Sequence, residues 1–206
     1  MKLWTAFYDH LLPDLTGCAP AIASIALRRS AREFCEKTLA WDEQRGPVTT
    51  LAATLNYPFT IDTTAEEVVK LLGATVSGLD VQVCSVNDLP VNWPTYPGVE
   101  GAIFTQTRRT FNLVPARAAG LLVITRVALK PSITATGVTD EIFAHYVEDI
   151  CVGAKAILMM SMKKPYTDMK LGAMHRTDFE ERIATIKNKV ARSFSRTPRR
   201  VKPMFF

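Results

Sequence analysis

The chain lacks the features that mark disulfide-stabilised, zinc-binding and membrane proteins. It has four cysteines among 206 residues, with no C-x-x-C pair and no histidine at ligand spacing, so we expect free thiols in a reducing compartment. No apolar run approaches the ~18–20 residues that a membrane-spanning helix needs. The first residues also lack the apolar stretch of a secretory signal. We therefore expect a protein that is made in the cytosol and has no membrane partner.

Motifs for catalysis and cofactor binding are missing as well. The sequence contains no G-x-S-x-G, no P-loop, no G-x-G-x-x-G and no H-E-x-x-H. Adjacent carboxylates point apart on a helix, so a solvated surface is the simpler interpretation of three such pairs. These pairs are Glu66 and Glu67, Glu148 and Asp149, and Glu180 and Glu181. We predict no catalytic residue, cofactor or metal. An enzyme site in the middle of the chain, near Trp93 and Tyr96, is the weaker alternative.

Positive charge is concentrated at the C-terminal end. The chain has 25 Lys and Arg against 20 Asp and Glu, yet eight of the basic residues and none of the acidic ones follow Glu181. Residues 1–181 are therefore mildly acidic, with 17 basic and 20 acidic side chains. A basic protein usually suggests nucleic acid or an acidic surface as partner. Here that argument applies to the terminal segment alone.

Residues 196–206, which we call the C-terminal arm, combine this charge with an apolar end. Two prolines in the arm favour an extended backbone, and burying two Phe side chains on a partner would contribute a few kcal/mol. Most terminal charge runs are solvated tails, and that alternative stays open. We predict an arm that docks on a partner protein. The predicted docking residues are Arg196, Arg199, Arg200, Lys202, Met204, Phe205 and Phe206.

The succession of periodic patterns predicts an α+β fold. Apolar residues three and four apart predict helices up to about Trp41, then after Thr139, and again from Asp168 to about Ser195. Thr139 and Asp168 are the predicted N-caps of the last two helices. Between them, short runs rich in Val, Thr, Ile and Phe alternate with turn residues, which is typical of antiparallel strands. The predicted strands are Leu51–Leu55, Val68–Val76, Leu79–Cys84, Ala102–Thr107, Thr110–Leu113 and Leu121–Leu129, with a hairpin turn at Ser77-Gly78. The pattern of Glu66–Leu72 also fits a short helix.

These patterns divide the chain into four parts. N-terminal helices in 1–46 and a C-terminal helix pair in 132–195 are expected to pack as one helical bundle. An antiparallel β-rich domain in 47–131 is inserted between them, and the extended arm 196–206 follows. The apolar stripes of the helices predict four largely buried aromatic residues. These are Phe34, Trp41, Phe143 and Phe179.

A Gly-Ala pair lies in the middle of a predicted helix, at Gly153 and Ala154. Glycine at such a position costs about 1 kcal/mol relative to alanine. A close approach of another helix would compensate for that cost. The second helix can belong to the same chain or to a neighbouring subunit.

Two stretches of the sequence resemble the head-to-tail adaptor proteins of tailed bacteriophages. The first contains Tyr8, LPDLTGCAP at 12–20, IALRRSAREFCEKT at 25–38 and Trp41. The second runs from VALKPS at 127–132 through Phe143, Tyr146, Ile150, Gly153-Ala154, KPYTD at 164–168 and Phe179 to RRVKPMFF at 199–206. Residues 80–101 match nothing in that family. The matched residues are packing and turn signatures, not catalytic motifs.

The resemblance implies a structural virion protein that forms a ring, usually of twelve copies, below the portal. Its implied partners are the portal protein, tail or neck proteins, further copies of itself, and genomic DNA in the ring lumen without sequence specificity. The protein would be made in the host cytoplasm and end in the virion, with the arm bound to the portal or a neighbouring connector subunit. The alternative is a nucleic-acid-binding protein that uses the basic arm, with strongly salt-dependent affinity.

Overall fold

The computed structural model describes residues 1–89 and 101–192, and these residues form an α+β fold. In this part of the chain, four helices pack around a curled sheet that forms a half-barrel. The helices are α1 (Tyr8–Leu11), α2 (Pro20–Thr38), α3 (Asp140–Met159) and α4 (Met169–Ala191). The strands are β1 (Lys2–Leu3), β2 (Asp42–Thr49), β3 (Asn56–Pro58), β4 (Glu66–Val76), β5 (Leu79–Val83), β6 (Ala102–Thr107), β7 (Thr110–Val114), β8 (Leu122–Pro131) and β9 (Gly137–Val138).

The N-terminal helix α2 packs with the C-terminal helices α3 and α4, as the sequence predicted. Each of the three begins at a residue suited to that position. Pro20 occupies the first turn of α2, where its missing N–H costs no hydrogen bond. The Thr139 hydroxyl accepts from the N–H of Ile142 at the start of α3, and Asp168 accepts from the N–H of Leu171 at 2.9 Å at the start of α4. Both predicted caps are confirmed.

The main sheet has seven strands in the order β2-β8-β4-β5-β6-β7-β3. Ser77 and Gly78 both have positive φ and form the predicted two-residue hairpin between β4 and β5. The prediction of a purely antiparallel sheet is wrong at one pair, because β5 and β6 run parallel. Parallel neighbours need a crossover connection of a dozen or more residues. Residues 84–101 are long enough to provide it.

Two of the predicted local structures differ in the structure. Helix α2 ends at Thr38, before the predicted end, and residues 42–49 form β2, which pairs with β8. The predicted strand Leu51–Leu55 is a turn segment instead. The Tyr57 hydroxyl holds that segment, since it accepts from the N–H of Leu51 and lies within hydrogen-bond distance of two of its carbonyls. The edge strand β2 lies at 42–49, and not at Leu51–Leu55, because residues 42–49 pair with β8, a partner distant in sequence.

One hydrophobic core runs through the helices and the sheet, so the predicted helical and β-rich parts share a core. Phe34, Trp41 and Phe179 are buried in it, as predicted. Phe143 is only half-buried, with its ring edge-on to Phe7 at a centroid distance of 4.9 Å. The prediction was therefore too strong for Phe143, which lies at the margin of the core.

Ion pairs also join α2 to the sheet. Arg32 of α2 donates two hydrogen bonds to Glu67 of β4, at 3.0 and 3.1 Å. Buried Lys130 of β8 donates to Glu36 at 2.7 Å. Hydrogen bonds from these cations lower the pKa of both carboxyl groups, which therefore stay ionised at neutral pH. Within residues 1–89 and 101–192, no helix is both long and apolar enough to cross a membrane.

Candidate protein-interaction site

The described residues contain no group of three or more His, Cys, Asp or Glu side chains placed to hold a metal ion. Two of the four cysteines, Cys35 and Cys151, are buried. Burial raises the pKa of each thiol to about 12. Both are therefore neutral near pH 7, and a neutral thiol is a poor nucleophile and a poor metal ligand.

A concave feature of the described surface lies between the first half of α3 and the second half of α4, and we call it the α3/α4 groove. Its volume is about 750 Å³. One end of it reaches Ala40, just after α2. The lining residues are Ala40, Glu141, His145, Tyr146, Asp149, Asp178, Glu181, Arg182, Thr185, Ile186 and Lys189.

Buried Ile186 and half-buried Tyr146 are the larger apolar residues that line the groove, and we call them its floor. The backbone of Tyr146 departs from helical geometry, with φ −133° and ψ 16°. Its ring packs on Phe34 of α2 at a centroid distance of 5.0 Å. Burial, followed by the negative charges of Asp149 and Glu141, raises the pKa of the Tyr146 hydroxyl. With Ile186, this neutral ring offers an apolar surface beneath a charged rim.

The lining of the groove carries excess negative charge. Four carboxylates line it against two cations, and the exposed Glu141 and Glu181 form its rim. Arg182 donates to Asp178 at 2.9 Å and to Asp149 at 3.1 Å, and these bonds raise its pKa. Glu141 and Glu181 have no ion-pair partner among the described residues. An apolar floor below unpaired carboxylates suits a positively charged segment that also carries apolar side chains.

Gly153 lies where α2, α3 and α4 meet. A Cβ atom at this position would be 2.3 Å from the Ser30 hydroxyl and 2.7 Å from the Phe179 ring. The neighbouring Ala154 is completely buried. The structure thus places helices of the same chain against Gly153, which is the first of the two alternatives left open by the sequence.

The predicted docking residues Arg196 to Phe206 lie outside the described residues, as do Trp93 and Tyr96. The last described helix, α4, forms one wall of the groove and ends at Ala191, with residues 192–195 between it and the arm in the sequence.

The sequence did not reveal the groove, although the adjacent carboxylates Glu148 and Asp149 were one signal for it. The adjacent carboxylates Glu148 and Asp149 do point apart, with Glu148 3.0 Å from His10 and Asp149 paired with Arg182. The sequence analysis interpreted three carboxylate pairs as solvated. That interpretation was wrong for Asp149, whose side chain is 15% exposed. It was also wrong for Glu66, which is buried beside Arg45. Only the packing of α3 on α4 shows which carboxylates share a surface.

Comparisons with known proteins do not assign the chain to a family. No protein-family model matches the chain, and no curated protein matches it either.

Proposed function

We propose that this protein is a head-to-tail adaptor of a tailed bacteriophage, a structural component without catalytic activity. It assembles as a ring of about twelve copies below the portal and surrounds part of the DNA channel. The sequence resemblance gives the family, and the distribution of charge supports the mode of attachment. The copy number is the one the resemblance implies.

The separation of charge between body and arm carries this proposal. Residues 1–181 hold 17 basic and 20 acidic side chains, whereas every later charged residue is basic. Because α4 ends at Ala191, the arm follows the last described helix in the chain. An acidic surface on the portal would attract it over a Debye length of about 8 Å at physiological salt. Met204, Phe205 and Phe206 would then fill an apolar pocket and slow dissociation.

Exposed apolar side chains in two parts of the molecule support the ring. Met162, in the turn between α3 and α4, is 75% exposed, and Met174 of α4 is 61% exposed. On the sheet, Leu79, Leu122 and Ile124 are exposed. A ring needs two different surfaces on each copy, one of which meets the other on the next copy. We assign the helical end and the sheet to these two roles.

In this proposal the sheet is a β-domain inserted between the two halves of the helical bundle, and residues 196–206 leave the bundle as an extended arm. Genomic DNA passes through the lumen without sequence-specific contacts. Tail or neck proteins bind the side of the ring away from the portal, and the site of action is the virion.

Two arm variants test the attachment. Deleting Met204–Phe206 should leave a folded protein that no longer joins heads stably. Arg199→Glu with Arg200→Glu should slow attachment and weaken its dependence on salt, because charge governs mainly the association rate. Assembly of infectious particles by complementation measures both. Normal assembly by both variants would refute the role of the arm.

Electron microscopy of the virion tests the class of protein. The expected result is a ring of this protein in line with a capsid vertex. An isolated decoration elsewhere on the capsid would contradict the adaptor role.

The basic arm also favours a second candidate, a nucleic-acid-binding protein. This alternative predicts that the free subunit binds DNA with an affinity that falls steeply as salt rises, because phosphate contacts release counterions. The adaptor proposal predicts weak DNA binding by the free subunit and attachment to the portal without DNA.

A further inference from the structure

We infer that, in the free subunit, the C-terminal arm binds in the α3/α4 groove of its own chain. The inference concerns the subunit before assembly and goes beyond the adaptor role proposed above. It makes the groove a peptide-binding site and names its occupant as residues 196–206.

Charge complementarity is the first argument. The arm carries Arg196, Arg199, Arg200 and Lys202 and no acidic side chain. The groove is lined by four carboxylates against two cations, and Glu141 and Glu181 have no ion-pair partner among the described residues. Guanidinium groups form strong, charge-assisted hydrogen bonds with such carboxylates.

The apolar parts also match. The groove has an apolar floor that includes Tyr146 and Ile186 below its charged rim. The arm has the same combination, a basic run followed by Met204, Phe205 and Phe206. Docking would bury these apolar side chains and bring the basic ones to the rim.

The length and origin of the arm are the third argument. Helix α4 ends at Ala191, and Lys189 in its last turn already lines the groove. The fourteen residues 193–206 span about 46 Å when extended, at ~3.3 Å per residue. The α4 wall from Asp178 to Lys189 is roughly 17 Å long, at 1.5 Å per residue. The arm can therefore reverse direction after α4 and still cover the groove.

Attachment to the same chain favours this occupant over a second copy. A short flexible connection gives an effective concentration in the millimolar range, about 1 mM or more. That exceeds the concentration of free subunits in a dilute solution. Before assembly, the arm would thus shield its own apolar end, and a portal would have to compete with the groove for it.

Zero-length carbodiimide crosslinking of the full-length free protein tests the inference. Lys202 is the one lysine of residues 193–206. Mass spectrometry should find it coupled to Glu141 or Glu181 at least about tenfold more often than to Glu180, because docking raises the local concentration. Glu180 is the reference, since it adjoins Glu181 but lies on the α2 side of α4, where it accepts a hydrogen bond from Arg176 at 2.8 Å. In a mixture of ¹⁵N-labelled and unlabelled protein, the coupled peptides should both come from the same isotope pool.

Two double variants separate docking from general charge. Arg199→Glu with Arg200→Glu keeps Lys202 and all groove carboxylates, yet should reduce the Glu141 and Glu181 crosslinks to the Glu180 level. Arg29→Glu with Lys170→Glu changes the charge equally at exposed positions outside the groove, and should leave the crosslinks unchanged. Amide hydrogen exchange of residues 141–149 and 178–189 should be faster in the first double variant than in the wild type and unchanged in the second.

Equal coupling of Lys202 to Glu180 and Glu181 would overturn the inference, as would crosslinks that join the two isotope pools, which would place the arm on another copy. These measurements use no portal. A docked arm in a protein that never joins a portal would refute the adaptor proposal alone, and a portal-binding arm that never enters the groove would refute this inference alone.

Discussion

The two ends of the contact between α3 and α4 differ sharply in packing. On the side of the groove nearer the α3–α4 connection, which we call the closed end, Gly153 lies against Ser30 and Phe179 with no room for a methyl group. At the other end, beyond the backbone break at Tyr146, the same helices leave the α3/α4 groove open. One helix pair thus contributes stability at its closed end and offers a charged surface at its open end.

Side-chain size and charge explain the difference. A glycine lets helices approach until the Phe179 ring fills the space in which a side chain would lie. In the groove, Arg182 bridges Asp149 and Asp178 from the side of α4. Such charged side chains keep their charges partly in water, so the helices do not close over them.

The largest effect is expected from emptying the closed end. Phe179→Ala removes a completely buried ring and should lower the free energy of unfolding by about 3–5 kcal/mol. Phe143→Ala is the control, because Phe143 is half-buried and should cost clearly less. Urea denaturation of both variants measures the difference. Equal losses would show that the closed end is no better packed than the margin of the core.

Overfilling the closed end should have the next largest effect. Gly153→Ala places a methyl group 2.3 Å from the Ser30 hydroxyl and 2.7 Å from the Phe179 ring, and should cost about 1–3 kcal/mol. The expected change has the opposite sign to the stabilisation that alanine ordinarily gives over glycine within a helix. Gly73→Ala in strand β4 is the control for a methyl group added without a clash, since its Cβ would meet the nearest atom only at 3.9 Å. A raised melting temperature for Gly153→Ala would mean that the three helices are loosely packed.

A pH-dependent effect should come from the ion pair that joins α2 to α4 beside the closed end. Arg176 donates two hydrogen bonds to Glu33, at 2.6 and 2.9 Å, and these lower the pKa of Glu33 below its ordinary value near 4.5. The pair therefore stabilises the fold above that pH, and the contribution is lost as pH falls through the lowered pKa.

Glu33→Gln removes this dependence. Both side chains of the pair are partly exposed, at 26% and 34%, so the expected contribution is at most about 1 kcal/mol. Stability curves between about pH 6 and pH 3 should be flatter for the variant than for the wild type. Parallel curves would show that Arg176 contributes nothing through Glu33.

The smallest effect on stability is expected at the open end. Glu181→Gln changes an exposed carboxylate on the groove rim and should alter the free energy of unfolding by less than about 0.5 kcal/mol. Glu180→Gln, on the other side of α4, should behave alike. A loss well above this range at Glu181 alone would make the groove a structural element and weaken its assignment as a binding surface.

Much of the fold follows from local patterns. The caps at Thr139 and Asp168, the hairpin at Ser77-Gly78 and most strands appear where the sequence predicts them. Helix periodicity and turn chemistry depend on neighbours within a few residues, so they can be recognised in one sequence. The misplaced first edge strand is different, because β2 forms by pairing with β8, some eighty residues away.

The candidate site could be predicted only in part. The concentration of basic residues after Glu181 is a property of composition and was visible at once. In our inference, the basic arm contacts carboxylates of two helices, Glu141 of α3 and Glu181 of α4. Each of them is typical of a surface residue when the sequence is considered alone. Their partners could not be identified, because a sequence does not state which faces of two helices meet.

The sequence by itself determined the α+β class, the helix starts and the separation of an acidic body from a basic arm, since each depends on residue type and short spacing. Tertiary structure alone decided the parallel pairing of β5 with β6, the three-helix contact at Gly153 and the groove beside Tyr146. The physical reason is the same in each case: these features arise from contacts between residues far apart in the chain, whose free energy depends on the shape and charge of both partners.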